Sequence, residues 1–262
     1  MVSEAEEQRR KELIAGKSAL DLANAKASLS AEDCRIVEAY FTVMQPYCRK
    51  ASVAEYKRPC VESSPFSSQM GGPFVGTAAG AWPEVNGEYL EGVLQVNVLE
   101  LPWVPERLQQ FELVQFFAAW KDWHQKATYE DGTWLVKTYQ DLSNLVLMEK
   151  PFQSLMEPKS IQWKLAEHEI PSYPDNIGIV DEDLERDFQA LDDWWLLLED
   201  KFPTSNQTKI GGWPKSQQNG VPDLDAYVVQ IDSACNWQWF SAGVGFLFLD
   251  DNDTWSSFCD FD

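Results

Sequence analysis

The residue types that most often carry catalysis are sparse in this sequence. Only two histidines are present, His124 in Trp-His-Gln and His168 between two glutamates. A nucleophilic site of the Ser/His or Cys/His type needs a histidine base that a third group orients, and spacing along the chain establishes no such group. Neither a His-x-x-x-His pair nor a Cys/His cluster with zinc-ligand spacing occurs. The sequence therefore predicts no catalytic centre, no bound metal and no cofactor.

A run of acidic residues follows the apolar segment that ends at Leu249. An EF-hand calcium loop starting at Asp250 would need glycine at its sixth position and glutamate at its twelfth. Those positions hold Trp255 and Phe261, so the calcium motif is absent. The sequence predicts instead an exposed acidic turn after a buried strand. Its carboxylates are those of Asp250, Asp251 and Asp253.

A second acidic group lies in residues 181–200, which are predicted to form one amphipathic helix. Apolar residues recur there at helical spacing and form a stripe, and most carboxylates lie off it. The stripe consists of Leu184, Phe188, Leu191, Trp195 and Leu198. Acidic residues in the first turn are also favoured by the helix dipole. A solvated outer face is the ordinary interpretation of such charges, and a surface that docks a basic partner is the alternative.

The net charge of −21 is unevenly distributed along the chain. Residues 1–70 hold ten basic and ten acidic residues, so the whole excess lies in residues 71–262. Most of it follows residue 150, where 21 acidic residues face 6 basic ones. A field this negative attracts basic partners and repels phosphate backbones and anionic membranes, which argues against direct binding of nucleic acid or membrane. Solubility alone is the simpler explanation of the charge.

Composition indicates a globular protein that stays inside the cell. Hydrophobic residues make up 44% of the 262 residues, and there are 12 tryptophans. The charged N-terminal stretch has no signal-peptide pattern, and no apolar run is long enough to span a membrane. The five cysteines form an odd set without a C-x-x-C pair, which is typical of free thiols in a reducing compartment. A cytoplasmic protein is predicted.

Two helices are predicted at the start of the chain. The first covers residues 3–27 and opens with a capping box, and the second starts near Ser30 with Asp33 three positions on. Pro46 closes or kinks the second helix. Residues 1–65 are therefore expected to form a helical segment packed on the core that follows.

Strands dominate the rest of the prediction. Asp131-Gly132 is a hairpin signal, and residues 145–148 fit either a strand or a short helix. The predicted strands are 90–98, 113–120, 133–139, 161–166, 226–233 and 244–250.

One short pattern occurs twice. Adjacent glycines at 71–72 and 211–212 are each followed by a strand with a central glutamine, Gln95 or Gln230, and then by a second apolar strand. Neither glycine pair has the Gly-Lys-Ser/Thr ending of a phosphate loop, so they are predicted to be turn glycines with positive φ. Internal similarity of this kind suggests a duplicated fold.

These repeated segments resemble the YwqG-like family of bacterial domains, whose function is uncharacterised. The most specific piece is Val-Gln-Ile-Asp-Ser at 229–233 followed by Ala-Gly at 242–243. The chain departs from the family at Ser241, which stands where the family has an aspartate. The resemblance covers residues 66–262, with pseudo-repeats at about 66–150 and 151–262. It implies an α+β fold with an internal duplication and a mainly antiparallel β-sheet, to which this chain adds N-terminal helices.

Some members of that family resemble immunity proteins, which bind and neutralise secreted antibacterial toxins, often nucleases. The function expected from this resemblance and from the charge is therefore a non-enzymatic, cytoplasmic immunity protein whose acidic surface binds a basic toxin. Two alternatives remain: a binding module for a basic protein or peptide unrelated to toxins, and an enzyme with an unrecognised carboxylate site. The expected contact residues are Asp181, Glu182, Asp183, Glu185, Asp187, Asp192 and Asp193, with Asp250, Asp251 and Asp253 as a second patch.

Overall fold

The chain forms two compact units, which we call the helical unit and the sheet unit. The helical unit combines Met1–Cys48 with His168–Thr204, and the sheet unit combines Arg49–Glu167 with Ser205–Asp262. The computed structural model describes residues 17–57, 64–119, 133–154, 156–171, 180–202, 205–216, 221–234, 239 and 243–260.

Four helices make up the described part of the helical unit. They are α1 at residues 17–28, α2 at Ala31–Met44, α3 at Glu182–Gln189 and α4 at Trp194–Lys201. A short 3₁₀ turn, Gln45–Tyr47, follows α2 and contains Pro46, where the sequence predicted that this helix would end. The described part of the first predicted helix is confirmed, and its earlier residues lie outside the described ones.

The start of α2 is fixed by the predicted capping box. The Ser30 hydroxyl accepts a hydrogen bond from the Asp33 N–H at 3.2 Å, and the Asp33 carboxylate accepts one from the Ser30 N–H at 2.8 Å. Further along, Tyr40 stacks on Phe188 of α3, with ring centroids 3.9 Å apart. Both rings are fully buried, so this contact joins α2 to α3 across the core of the helical unit.

The single helix predicted for residues 181–200 is wrong, because the chain breaks between α3 and α4. Asp193 adopts a left-handed conformation with φ of 56°, which aspartate tolerates better than most residues. After this break Leu196 and Leu197 are buried with Ala25, whereas Trp195, predicted to lie on the buried stripe, is 49% exposed. A prediction based on apolar residues recurring every 3.6 residues assumes one continuous helix, so it cannot include a break that rotates the second helix relative to the first.

Fourteen strands are described, and ten of them form one sheet. The strands are β1 Arg49–Lys57, β2 Gln69–Met70, β3 Val75–Thr77, β4 Glu84–Val85, β5 Glu88–Tyr89, β6 Glu91–Asn97, β7 Leu113–Ala118, β8 Trp134–Tyr139, β9 Leu145–Leu147, β10 Lys159–Glu169, β11 Lys209–Gly211, β12 Tyr227–Ile231, β13 Val244–Leu249 and β14 Trp255–Asp260. The large sheet has the order β14-β13-β12-β11-β1-β10-β2-β6-β7-β8, while β3 pairs with β9 and β4 with β5. The α+β class with a large antiparallel sheet and N-terminal helices is confirmed.

Most predicted strands are present, but two short segments differ from expectation. Residues 49–57 form β1 within the segment predicted to be helical, and 209–211 form β11 where a turn was predicted. These strands pair with each other, with Ala51 opposite Gly211. Each is therefore stabilised as a strand by its partner, although its own residue pattern does not predict a strand. Residues 145–147 form a strand, and the predicted hairpin at 131–132 lies outside the described residues.

The duplication is visible in the order of the sheet. One half runs β1-β11-β12-β13-β14 and the other runs β10-β2-β6-β7-β8, and the two halves meet where β1 neighbours β10. In each half a short strand ending at a glycine pair lies between one long strand and a three-stranded meander. Gln95 lies in β6 and Gln230 lies in β12, which are the first strands of the two meanders.

Gln95 ties the chain before and after the first glycine pair to β6. Its side chain is fully buried. The Gln95 Nε2 group donates hydrogen bonds to the carbonyl oxygens of Pro65 and Ser67, both at 2.9 Å, and Oε1 accepts one from the Val75 N–H at 3.3 Å. One amide therefore satisfies three backbone groups on either side of the glycine pair.

Gln230 does the same in the second half. It is also fully buried. Its Nε2 group donates to the carbonyl oxygens of Ser205 at 3.4 Å and Gln207 at 3.0 Å, and its Oε1 accepts from the Lys215 N–H at 2.8 Å. These three partners follow those of Gln95 by a constant interval along the chain, so the glutamines are structurally equivalent.

Both glycine pairs have the predicted left-handed backbone. The φ angles are 65° at Gly71, 90° at Gly72, 73° at Gly211 and 70° at Gly212. A side chain at Gly211 would be doubly unfavourable, since its Cβ would overlap the Trp103 ring and lie 3.2 Å from the Lys50 carbonyl oxygen.

Substitution of Gly211 by alanine is therefore expected to destabilise the sheet unit by about 3 kcal/mol, because backbone strain and overlap act together. Gly87→Ala is the matched control: its φ is 82°, but a Cβ there would meet nothing within 4 Å. The control should cost only the backbone term, about 1 kcal/mol. Urea unfolding of both variants measures the difference, and equal losses would contradict the close approach at Gly211.

Candidate functional site

The acidic residues of α3 surround its N-terminus. Asp181 is the N-cap, and its carboxylate accepts hydrogen bonds from the backbone N–H groups of Asp183 at 3.0 Å and Leu184 at 3.4 Å. Glu182, Asp183 and Asp187 are exposed. Asp181 therefore has a structural role in starting the helix, while its neighbours direct their carboxylates into solvent.

Two of these carboxylates are partly neutralised by an arginine on the same helix. The Arg186 guanidinium lies 2.7 Å from Asp183 and 3.4 Å from Asp187. The hydrogen bond to Asp183, followed by the charges of both aspartates, raises the pKa of Arg186 above its ordinary value. Because all three side chains are exposed, these pairs contribute little to stability.

Glu185 does not belong to the exposed surface. It is only 7% exposed, and its carboxylate accepts a hydrogen bond from Gln189 one turn later. The sequence-based assignment of Glu185 as a contact residue is therefore corrected. It faces inward because it lies three residues before the fully buried Phe188, on the same side of α3.

An exposed tryptophan lies beside the remaining carboxylates. Trp195 on α4 is 49% exposed, and Asp192 and Asp193 precede it while Glu199 follows one turn later. Among the described residues, these three carboxylates form no ion pair. Regular helical spacing predicted that this ring would be buried, and it is not. We call Glu182, Asp183, Asp187, Asp192, Asp193 and Trp195 the acidic helix face.

The second predicted patch is the turn between β13 and β14. Its first carboxylate, Asp250, accepts hydrogen bonds from the N–H groups of Asn252 at 2.8 Å and Thr254 at 2.9 Å. The hydrogen bonds from Thr254 and then Asn252 hold the pKa of Asp250 below its ordinary value. Asp253 takes a left-handed conformation, with φ of 58°. Asp250 therefore shapes the turn as an ionised acceptor.

The other two carboxylates of this turn have partners as well. Asp251 lies 2.7 Å from Arg107, and Asp253 accepts a hydrogen bond from Gln110 at 2.8 Å. The turn and these partners line a cleft of about 390 Å³. Asp250, Asp251 and Asp253 are thus brought together as predicted, but their charges are largely engaged within the sheet unit.

The most specific segment of the sequence pattern, residues 229–233, forms hydrogen bonds that stabilise the sheet. Asp232 accepts hydrogen bonds from the hydroxyl groups of Tyr56 and Thr208, the latter at 2.6 Å. Ser233 donates from its hydroxyl to the Gly243 carbonyl oxygen at 2.9 Å. The bonds to Asp232 link β1 to the residues that flank β11 and β12, and the bond from Ser233 links the end of β12 to the start of β13. Ser241 lies outside the described residues.

A buried ion pair in the first half went unnoticed in the sequence. Lys150 Nζ lies 3.2 Å from Glu91 Oε1, and Glu91 is only 3% exposed. The ammonium also lies 5.2 Å from the Trp82 ring centroid and 4.9 Å from that of Phe152. Burial lowers the pKa of Lys150, while the charge of Glu91 opposes this shift. Ser154 gives Glu91 a further hydrogen bond.

Loss of either member of this pair should cost stability, because the other charge would remain buried without its partner. Lys150→Met is expected to lower the free energy of unfolding by about 3 kcal/mol at neutral pH. The double variant Glu91→Gln/Lys150→Met should lose less than the sum of the single variants. Urea unfolding in a double-mutant cycle measures this coupling, and strictly additive losses would refute it.

The remaining candidate residues do not assemble a metal centre. Among the described residues, no group of three His, Cys, Asp or Glu side chains could hold a metal ion. His168 is exposed, and Cys34, Cys48 and Cys259 are free thiols. His124, Cys60 and Cys235 lie outside the described residues. Within the same ranges, no helix is long and apolar enough to cross a membrane.

Comparison with known proteins places the chain in a family without assigning a role. No curated protein matches the sequence. A family model described as a domain of unknown function matches residues 68–262, which is most of the chain and includes every strand from β2 to β14. The chain therefore belongs to the DUF1963 family of domains of unknown function.

Proposed function

We propose that this protein is a non-enzymatic immunity protein of the cytoplasm, which binds a basic toxin, most naturally a nuclease, and neutralises it. The observation that carries the proposal is Trp195, a large ring that is 49% exposed and directly follows in sequence the exposed Asp192 and Asp193, which form no ion pair within the described residues. Tryptophan is enriched among the residues that contribute most of the binding energy in protein interfaces.

The charges around this ring suit a cationic partner. Residues 151–262 carry 21 acidic and 6 basic side chains, so the acidic helix face lies in the most negative part of the sequence. Nuclease domains present positive clefts to phosphate, and an acidic surface would be steered toward such a cleft at a salt-sensitive rate. Trp195 would then supply apolar contact area that charges alone lack.

The resemblance to the YwqG-like family supports the toxin as the partner, since some of its members resemble immunity proteins. The acidic helix face replaces the broader set of carboxylates inferred from sequence, because Glu185 is buried. Asp250, Asp251 and Asp253 are secondary candidates, since their turn has no exposed large apolar side chain comparable to Trp195 among the described residues.

The decisive experiment has two steps. The protein is used to capture partners from lysate of its native bacterium at low and moderate salt, and each captured protein is expressed in a heterologous host with and without it. Support requires a captured protein that arrests growth alone and permits growth when this chain is co-expressed. A captured basic protein without toxicity would instead favour a general binding module, and the immunity proposal would be abandoned.

Charge reversal on the acidic helix face is expected to slow binding to the captured partner. Asp183→Lys/Asp187→Lys should reduce the association rate about tenfold at low salt and flatten its salt dependence, because steering is lost. Glu84→Lys/Glu157→Lys is the matched control, since it makes the same change in net charge at two exposed glutamates of the sheet unit. Stopped-flow association kinetics compare the two, and equal slowing would exclude a local contact.

Truncation of Trp195 should act on dissociation. Trp195→Ala is expected to weaken binding by about 2 kcal/mol, mainly through faster dissociation, because the ring supplies contact area and little charge. Leu20→Ala removes another exposed apolar side chain of the helical unit, 61% exposed, and should leave affinity unchanged. Surface plasmon resonance provides both rates. If Trp195→Ala leaves affinity and the dissociation rate unchanged, the ring is not part of the interface.

A further inference from the structure

Arg49, the first residue of β1, holds its charge against a tryptophan. Its guanidinium carbon lies 3.6 Å from the ring centroid of Trp213. Trp213 is only 6% exposed, and Arg49 is half-buried. The indole ring thus packs against the guanidinium, while the Arg49 side chain remains partly exposed.

No acceptor for this guanidinium lies among the described residues. Within the described residues, Arg49 donates no hydrogen bond and forms no ion pair, although five N–H donors are available. Every other arginine in the described ranges has a carboxylate close by: Arg35 lies 2.5 Å from Glu32, Arg107 lies 2.7 Å from Asp251, and Arg186 lies 2.7 Å from Asp183. In a chain with a net charge of −21, an arginine that lies beyond ion-pair distance of every described carboxylate requires an explanation.

The fold itself does not require an arginine at this position. The Ala54 N–H donates to the Thr208 carbonyl oxygen, and the Ile161 N–H makes the equivalent bond to Ser68 in the other half. Counting back equally from Ala54 and Ile161, the position of Arg49 corresponds to Met156, which is a core residue only 3% exposed. The same place in the duplicated fold therefore accepts an apolar side chain.

The surroundings leave the positive charge incompletely compensated. Burial lowers the pKa of Arg49, and the charge of Asp225 works in the opposite direction. Asp225 is exposed and lies beyond ion-pair distance of Arg49, so it does not occupy the donors. An anion bound to the guanidinium would recover the interaction that burial removed.

We propose that Arg49, held by Trp213, is a receptor for a carboxylate group of a ligand. A single planar guanidinium matches one planar carboxylate through two parallel hydrogen bonds. A phosphate carries more negative charge, and Asp225 together with the acidic chain would repel it more strongly than a monovalent carboxylate. The carboxylate belongs either to a free small molecule or to the C-terminus of a peptide. This site is independent of the acidic helix face.

The test follows the side-chain N–H resonance of Arg49 in protein labelled with ¹⁵N-arginine, at constant ionic strength maintained with sodium chloride. Titrants are sodium acetate, sodium phosphate, and one short N-acetylated peptide with either a free or an amidated C-terminus. Saturable shifts with acetate and with the free peptide, and none with the amide, support the proposal. If the peptide with the free C-terminus binds more tightly than acetate, the carboxylate is that of a chain end. If the two bind with equal affinity, the ligand is a small molecule.

Variants distinguish binding from general charge effects. In uniformly ¹⁵N-labelled protein, Arg49→Met should abolish the acetate-dependent changes that wild type shows at neighbouring backbone amides. It should keep its thermal midpoint, because Met156 fills the equivalent place. Arg49→Lys should weaken binding about tenfold, since lysine keeps the positive charge but lacks the two parallel N–H donors of the guanidinium. Asp225→Asn should strengthen binding two- to threefold or so by removing a competing charge. Arg107→Gln, at an arginine already paired with Asp251, is the control and should bind normally.

Several results would overturn the proposal. These are equal shifts with chloride alone, tighter binding of phosphate than of acetate, or unchanged acetate binding in Arg49→Met. If Arg49→Met failed to fold, normal acetate affinity in Arg49→Lys would have the same consequence. Weaker acetate binding in Asp225→Asn would identify Asp225 as an organiser of the site and contradict its role as a competitor.

Discussion

The sheet depends on one repeated interaction, the buried glutamine that joins a strand to the chain around a glycine turn. Gln95 and Gln230 each satisfy two carbonyl oxygens and one N–H of the chain segment that carries the glycine pair. Burying such groups without a partner would cost more than the amide itself contributes. Left-handed glycines lie within the same bridged segment in both halves, and a side chain at Gly211 would meet Trp103 and the Lys50 carbonyl oxygen. The meander strands are thereby placed relative to β1 and β10.

The two halves have diverged where the glutamine did not constrain them. In the first half Gln115 lies opposite Gln95 on β7 and donates to its Oε1 at 2.8 Å, whereas Phe246 lies opposite Gln230 on β13. The first half therefore buries a polar pair where the second buries an aromatic ring. Arg49 and Met156 differ in the same way on the neighbouring strands. Equivalent backbone with unequal side chains is what a duplication leaves when one half is free to acquire a separate task.

The sequence predicted the features that repeat or that follow a local rule. The capping box at Ser30, the glycine turns and the central strands could be predicted because neighbouring residues determine them. The pairing of Glu91 with Lys150 could not be, because 59 positions separate the two residues and only the folded sheet brings them together. Local helical spacing also misplaced Trp195, since the left-handed Asp193 resets the phase of the helix. The sequence therefore predicted the carboxylates of the acidic helix face, but it did not predict the exposure of Trp195.

The position of β1 has a consequence for where this domain begins. The family model starts at residue 68, yet β1 at Arg49–Lys57 lies between β11 and β10 within the large sheet. A chain trimmed to the matched residues would lose the strand through which the two halves are joined. It would leave β11 and β10 as open edges, each with unpaired backbone groups able to pair with another molecule. The cooperative folding unit is therefore larger than the recognisable family segment, and its missing piece belongs at the centre of the sheet.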